Sequence, residues 1–363
     1  MEHVGVVVIG RNEGARLQVC LESVARYCPR VVYVDSASTD ASVELAHAQG
    51  IKVLELNANL PLAAGRARRE GLKRLLELEP SVRLVQFVDG DCELSPGWIE
   101  RAARSIEANE RVAVVCGRRR ERFPEASIYN QLADMEWDTP VGLARACGGD
   151  ALMRVDAVEM VNSFNPTVIA GEEPELCHRL RAAGWKVLRI DAEMTRHDLA
   201  MHRFEQWWRR QVRGGYGAGD MARRFAGTNE GEAEQYLRSY RRWVICWPLS
   251  IGLAGTFGGI AWGPAAAVFC ALAGCAAFPA QALRLAMKQR RRGYRWKASL
   301  ACGLLTLLSK WPGWIGVQQY RRDWRSGQGS RLIEYKRQPA HEHVAPKQLP
   351  TLPVATRSVV GTA

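Results

Sequence analysis

The sequence predicts an α/β domain, a mostly parallel sheet with helices on both faces, followed by a C-terminal transmembrane helical hairpin. Three observations carry this. Over roughly the first 120 residues, short β-branched runs alternate with segments of helical periodicity. Polar and acidic residues follow the strands in turn: Asn12 with Glu13, then Asp35, Asn57, and Asp89 with Asp91. Across 243–283, roughly forty residues, no side chain carries a formal charge, which at about 20 residues per crossing is length for two membrane helices.

The first strand is expected over 6–9, and Leu17, Cys20, Leu21 and Val24 then recur at the spacing of one helical face. A second strand covers 31–34. Ser38, Thr39 and Asp40 supply capping candidates for a helix through Ala46 that Gly50 stops. A third strand over 51–56 precedes a helix over 63–78; a fourth over 84–88 ends at Asp89-Gly90-Asp91; a helix over 96–108 leads into a fifth strand over 112–116. Strands separated by helices of this length pair in parallel. Ligands in such sheets sit beyond the carboxyl ends of the strands, where the polar residues fall. No GxGxxG follows the first strand, which argues against dinucleotide binding of the dehydrogenase type. From about 117 to 242 the periodicity loosens.

The 363-residue chain is 47% hydrophobic with a formal net charge of +12. Such a charge could point to nucleic acid, but no nucleic-acid motif accompanies it. The basic residues instead crowd the apolar run, with Arg238, Arg241 and Arg242 before it and Arg284, Lys288 and Arg290 to Arg292 after it. This predicts a hairpin turning at Gly263-Pro264, in contact with membrane lipids and with both ends in the cytoplasm. The ten cysteines form no CxxC pair, and Cys116, Cys246, Cys270 and Cys302 read as small buried hydrophobes in a reducing compartment. Met1 leads almost directly into a strand, so no signal peptide is expected. The expected organisation is a domain over 1–240, the hairpin over 243–283, a basic and interfacial segment over 284–337, and a flexible tail over 338–363. Within the third segment, a further membrane crossing over 296–317 rivals the interfacial helix.

Five stretches then resemble one family in order and spacing: "VVVIGRNEGARLQVCLESV", "VVYVDSASTDAS", "AAGRARREGL", "VQFVDGDCEL" and "GEEPELCHRLRAAGWKV". Over roughly residues 4 to 220 the chain resembles the family 2 inverting glycosyltransferases of GT-A fold. The resemblance implies transfer of a sugar from a nucleotide-sugar donor, a nucleoside diphosphate departing. The active site would face the cytosol at the inner (cytoplasmic) membrane, and the anchor beside the bilayer suggests a lipid-linked acceptor or an exported glycan precursor.

The chemistry of the residues agrees. A departing diphosphate develops negative charge that a hard divalent cation on carboxylate oxygens can stabilise. Asp89 and Asp91, with Gly90 relaxing the turn between them, suit Mg or Mn; a solvated turn is the plainer alternative. His197, in "TRHD", stands where some relatives carry a third metal ligand, though a lone histidine is often structural. Asn12, Glu13 and Asp35 fall in segments that resemble the nucleoside-binding loops, with an Asx-turn as the alternative for Asp35 and a cap for Asp40. Arg66 opens a helix near the donor side and could approach the diphosphate; Arg68, Arg69, Lys73 and Arg74 read equally as a solvated face. Asp89 is counted with the donor-binding set as well.

Arg118, Arg119, Arg120 and Arg122 read as surface, or as an attractor for lipid phosphates. "FEQWWRRQ" places Gln206, Trp207 and Arg209 as in the Q-x-x-R-W segment of processive relatives, but Arg210 stands in place of its tryptophan. The catalytic base implied by the resemblance is Glu173, in the pair Glu172-Glu173, with Glu172 as its substitute. The N-terminus of the helix that follows would lower the pKa of that carboxylate; acids there also complement the dipole without any catalysis. Two rivals remain at this point, a nucleotidyltransferase and a catalytically silent membrane scaffold.

Overall fold

A computed structural model describes residues 3–228 and 232–327. In its first half β1 (Val4–Gly10), α1 (Ala15–Ala25), β2 (Val31–Asp35), α2 (Ser42–Ala48), β3 (Lys52–Glu55), α3 (Ala64–Leu78) and β4 (Leu84–Asp89) alternate as the periodicity predicts. A short β5 (Cys92–Leu94), α4 (Trp98–Glu107) and β6 (Val112–Glu121) follow. The region of loose periodicity resolves into α5 (Ile128–Glu136), β7 (Gly142–Ala144), β8 (Ala151–Arg154), α6 (Val155–Met160), α7 (Glu172–Ala182) and β9 (Lys186–His197). Long helices complete the chain: α8 (Phe204–Arg224), α9 (Glu232–Arg241), α10 (Trp247–Trp262), α11 (Pro264–Arg291), α12 (Trp296–Leu308) and α13 (Lys310–Arg325).

The sheet runs β3-β2-β1-β4-β8-β6-β9-β5, with β7 on β9. Pairing is parallel from β3 through β4; β8 enters antiparallel between β4 and β6, and β6 returns to parallel pairing with β9. Register places the site. Gly10 lies opposite Asp35 and Ile9 opposite Asp89, so the loops after β1, β2 and β4 open at one edge. Cys92 and Glu121 both pair with His197, which brings the end of β9 to that edge.

Burial of β-branched and aromatic side chains on both faces holds the sheet: Val7, Val8, Phe87, Trp98 and Leu152 are fully buried. Trp98 keeps its indole N–H satisfied by donating to Gln86 Oε1 at 2.8 Å. The helix α3 lies directly on the sheet at Gly71, where a Cβ would meet Val7 at 2.5 Å and Val34 at 2.7 Å. A larger residue there would lift the helix away.

Three helical stretches, Ala233–Trp262, Pro264–Arg291 and Trp296–Arg325, are long and apolar enough to cross a membrane. The first two form a hairpin; Gly263 at φ +88 makes the turn and Pro264 starts α11. Their apolar side chains face outward, Leu253 at 72% and Ile260 at 82% exposure. Aromatic rings gather at both ends, Trp243, Trp247 and Phe278 at one and Phe257 with Trp262 at the other, the pattern of interfacial belts. Cys246 and Cys275 are exposed on this hairpin, unlike the buried cysteines of the α/β domain.

The third stretch behaves differently. α12 shares a small core with α5 and α8, in which Ala298 and Cys302 pack with Leu132, Met135 and Trp207. α13 meets α8 through glycines so closely that a Cβ on Gly215 or Gly316 would overlap the facing backbone. The expected tail over 338–363, with the last ten residues of the segment before it, lies outside the described residues.

Candidate functional site

After β1, Asn12 turns with φ +55, its side chain Oδ1 accepting the Thr39 N–H at 2.7 Å while its own N–H donates to Ser38 Oγ at 2.9 Å. Asn12 thereby ties the loop after β1 to the loop after β2. Asp35 is buried beneath that second loop and accepts from Tyr33 Oη at 2.8 Å, Ser38 N at 2.7 Å and Ser38 Oγ at 2.5 Å. Burial and this carboxylate push the Tyr33 hydroxyl pKa well up. The cleft wall at this point is formed by Ser36 rather than Asp35. Asn12 and Glu13 do line the cleft, Glu13 paired with Arg16 at 2.8 Å.

Gly90 lets the Asp-Gly-Asp turn fold under β1, because a Cβ would lie 3.1 Å from the Ile9 carbonyl oxygen. The two flanking acids then take different surroundings. Asp89 receives Arg68 at 2.7 Å and Arg119 at 3.0 Å, and its backbone N–H donates to Asp150 at 3.0 Å. Burial opposes its charge, but the two guanidinium groups outweigh burial and hold Asp89 below the usual carboxylate range. Asp91 faces His197 instead, 3.2 Å from Nε2. On the other side of that ring Nδ1 lies 3.6 Å from Glu121, and Trp137 packs edge-on at 5.0 Å. Burial opposes protonation of His197 while Asp91 and Glu121 favour it, and the net result is a raised pKa.

This arrangement fits a hard cation. A ligating histidine typically gives its second ring nitrogen to a carboxylate, which fixes the ring; Glu121 stands on that side of His197, 3.6 Å from Nδ1 and beyond hydrogen-bond distance. Asp91 and His197 then offer one oxygen and one nitrogen side by side, a mixed set compatible with Mn or Mg. Cys92 is also near enough to join them, but burial pushes its thiol pKa well up, so it stays neutral. A neutral thiol is a poor ligand for such a cation.

The acids at the start of α7 come in from the opposite wall. Glu172 pairs with Arg68 at 2.8 Å and is buried; Glu173 lies 3.4 Å from the same guanidinium. Burial, reinforced by the charge of Glu172, pushes the Glu173 pKa up to about 7 despite Arg68. The dipole-based expectation of a lowered value is therefore overturned: desolvation and a like charge exceed the helix terminus, which is worth only about 0.3–1 kcal/mol at exposed positions.

Arg66 does not join these residues. It reaches outward to the carbonyls of Asn57, Leu60 and Pro61 and is absent from the cleft lining. Its neighbour Arg68 takes the centre at 2% side-chain exposure. Arg119, expected at the surface, is likewise drawn in, pairing with Asp150 at 2.7 Å and stacking over Trp137. Asp150, completely buried, also accepts from Thr195 Oγ1 at 2.6 Å. A Cβ on the adjacent Gly149 would press Asp89 at 2.5 Å, so this loop holds the first acid of the Asp-Gly-Asp turn in place.

Sequence signals for the missed residues exist. Arg68 shares a helical stripe with Gly65, Leu72 and Leu75, all buried, and a lone arginine on an apolar stripe marks an internal partner. Arg119 and Glu121 are two apart on β6 and so point to one face. Gln206 caps α8, accepting the backbone N–H groups of His202 and Arg203, and Arg210 pairs with Glu136 at 2.9 Å.

Asp89, Asp91, His197, Glu172 and Glu173 line one cleft of about 1360 Å³ that also reaches α8, α9 and α13. Single-ligand pockets usually fall within about 300–1,000 Å³, and this open cleft is larger.

The model of the glycosyl transferase family 2 matches residues 5–157. Glycosyltransferase AglE of Haloferax volcanii is 25% identical over 199 residues, 51% of this chain, and the chain spans 63% of that relative's length. Among solved structures, the mannosyltransferase PcManGT of Pyrobaculum calidifontis, in complex with GDP-Man and Mn2+, superposes with a TM-score of 0.55 at 17% identity, covering 88% of this chain and 87% of its own. The strand-end acids, the mixed sheet around them and the matched sequence model agree: residues 5–157 carry a glycosyl transferase family 2 domain.

Proposed function

We propose that the protein transfers a sugar from a nucleotide diphosphate sugar, with inversion, to a lipid-linked acceptor or an exported glycan precursor. The observation that carries this reading is the meeting, in one cleft, of the Asp91–His197 pair with Glu173 on the facing wall. Asp91 and His197 would hold a divalent cation, Mg or Mn, with Asp89 beside them. The cation would supply charge stabilisation to the departing diphosphate.

The remaining work falls to side chains. Arg68 and Arg119 keep Asp89 ionised and fixed in direction. Asn12 and Glu13 present the loops against which a nucleoside would rest; Asp35 supports that surface from below. Inversion needs one carboxylate to take the proton of the attacking hydroxyl on the face opposite the leaving group. Glu173, with a pKa near 7 and little solvent around it, is suited to accept that proton at neutral pH.

The hairpin, with basic residues at both ends, supports an inner-membrane location with the catalytic domain cytosolic. Packing of α12 and α13 against α5 and α8 supports an interfacial placement for this third helical stretch, beside the catalytic domain. The direct experiment is a donor screen on detergent-solubilised full-length protein, comparing UDP-, GDP- and dTDP-sugars with Mn or Mg. GDP-mannose with Mn is the first combination to try, since the similarly folded PcManGT binds both. Metal-dependent sugar transfer supports the reading; nucleotidyl transfer, or binding without turnover, refutes it.

A further inference from the structure

The cleft has a second end. Away from Asp91 and His197 its wall is built by the helices that continue toward the membrane, with Tyr236 and Tyr240 from α9, Leu305, Thr306 and Ser309 around the α12–α13 junction, and Lys310 opening α13. Lys310 is partly buried and its Nζ stands 5.7 Å over the Tyr240 ring. No carboxylate pairs with it and no hydrogen bond satisfies it among the described residues. Other cations of this wall are engaged: Arg210 with Glu136, Arg213 with the Ile169 carbonyl. An ammonium held against aromatic and apolar surface without a counter-ion loses hydration and recovers little of it, a cost that an arriving anion would offset.

Helix continuity shows where that anion would come from. Ala233–Trp262 is one continuous helical stretch, α9 and α10 joined through a π-helical turn at Arg242–Cys246, its first turns in the cleft and its later side chains, Leu249, Leu253 and Phe257, apolar and exposed. A lipid chain lying along that surface would bring its headgroup to the Lys310 end of the cleft.

We propose that Lys310 binds the phosphate of a lipid-borne acceptor, the lipid chain following the apolar surface of α10 while the headgroup reaches into the cleft. This rests on the sugar-transfer reading only for the word acceptor; the phosphate site itself is defined by Lys310. Thr306 and Ser309 lend hydroxyls to the same stretch, and Tyr240, packed under Gly313, keeps the ammonium at the cleft wall.

The test is equilibrium binding of a fluorescent long-chain isoprenyl monophosphate to the full chain in detergent, with the corresponding alcohol and inorganic phosphate as competitors. The monophosphate should bind wild type about tenfold or more tightly than the alcohol competes, as expected for one charge-assisted contact. Lys310→Gln should erase that difference, and Lys310→Arg should retain most of it. Elution profile and melting temperature establish that the variants fold; if Lys310→Gln does not, Lys310→Met gives the same comparison with an apolar chain of similar length. Unchanged lipid binding in the folded neutral variants overturns the proposal, as does equal competition by inorganic phosphate, which would mark a site for free anions. Lys310-dependent lipid binding in a protein that turns over no nucleotide sugar supports the site and sinks the sugar-transfer reading instead.

Discussion

Asp91 and His197 stand 3.2 Å apart because β5 and β9 pair with Cys92 opposite His197. The turn after β4 therefore delivers one side chain of the pair and the last residue of β9 the other, with Glu121 from the neighbouring strand behind the ring. Replacing Glu121 with Gln leaves the ring in place but weakens its orientation. Divalent-metal affinity, measured by titration with Mn in the presence of nucleoside diphosphate, should fall about 10- to 100-fold, the range for supporting carboxylates. Unaltered affinity would detach His197 from the metal.

Arg68 is surrounded by three carboxylates, Asp89, Glu172 and Glu173. Arg68→Met removes their shared counter-charge and leaves them buried. The cost should be about 3–5 kcal/mol, the usual penalty for breaking a buried ion pair on one side, read as a lower denaturation midpoint. A variant as stable as wild type would show that the acids simply bind protons instead. In that case stability should become strongly dependent on pH.

Glu173 sets a pH dependence with a definite sign. Its folded pKa near 7 lies above the ordinary 4.5, so its contribution to stability is fully present below about 4.5 and is lost as pH rises through about 7. Transfer activity should move the opposite way, rising through pH 7 as the base ionises. Glu173→Gln should flatten the stability profile over this interval and abolish transfer while nucleotide binding persists. A variant that transfers normally would remove Glu173 from the mechanism; normal transfer by Glu173→Gln with none by Glu172→Gln would shift the role by one residue.

Much of the first half was legible because its strands are β-branched, its helices amphipathic, and its polar residues fall at strand ends, as with Asp89 and Asp91. The part beyond β6 was not, because β8 and β9 enter the sheet from distant sequence and no local pattern announces an antiparallel insertion. Arg68 and Arg119 were hidden by company: each sits in a run of arginines, and such runs ordinarily face water. The surrounding buried acids distinguish them in the structure, and in the sequence the faint sign is Arg68's place on an apolar helical stripe. Asp35 could be located by sequence after its strand but not oriented, since its partners Tyr33 and Ser38 decide which way the carboxylate turns.

The topology admits a direct check. If the hairpin 243–283 crosses twice, as proposed, Arg290 returns to the side of the catalytic domain. Arg290→Cys, in a background without the exposed Cys246 and Cys275, should react with membrane-impermeant maleimide only in inside-out vesicles. Labelling in right-side-out vesicles would reverse the assignment.

In the proposed reaction this cleft uses a divalent cation on Asp91 to turn over a nucleotide sugar. Nucleoside diphosphate release from the preferred donor should be compared for wild type and Asp91→Asn, each with Mn or Mg and with chelator. Chelator should abolish turnover in wild type, and a folded Asp91→Asn should be at least about 100-fold slower, equivalent to about 2.7 kcal/mol of transition-state stabilisation. Equal, chelator-insensitive rates in the two proteins would contradict it.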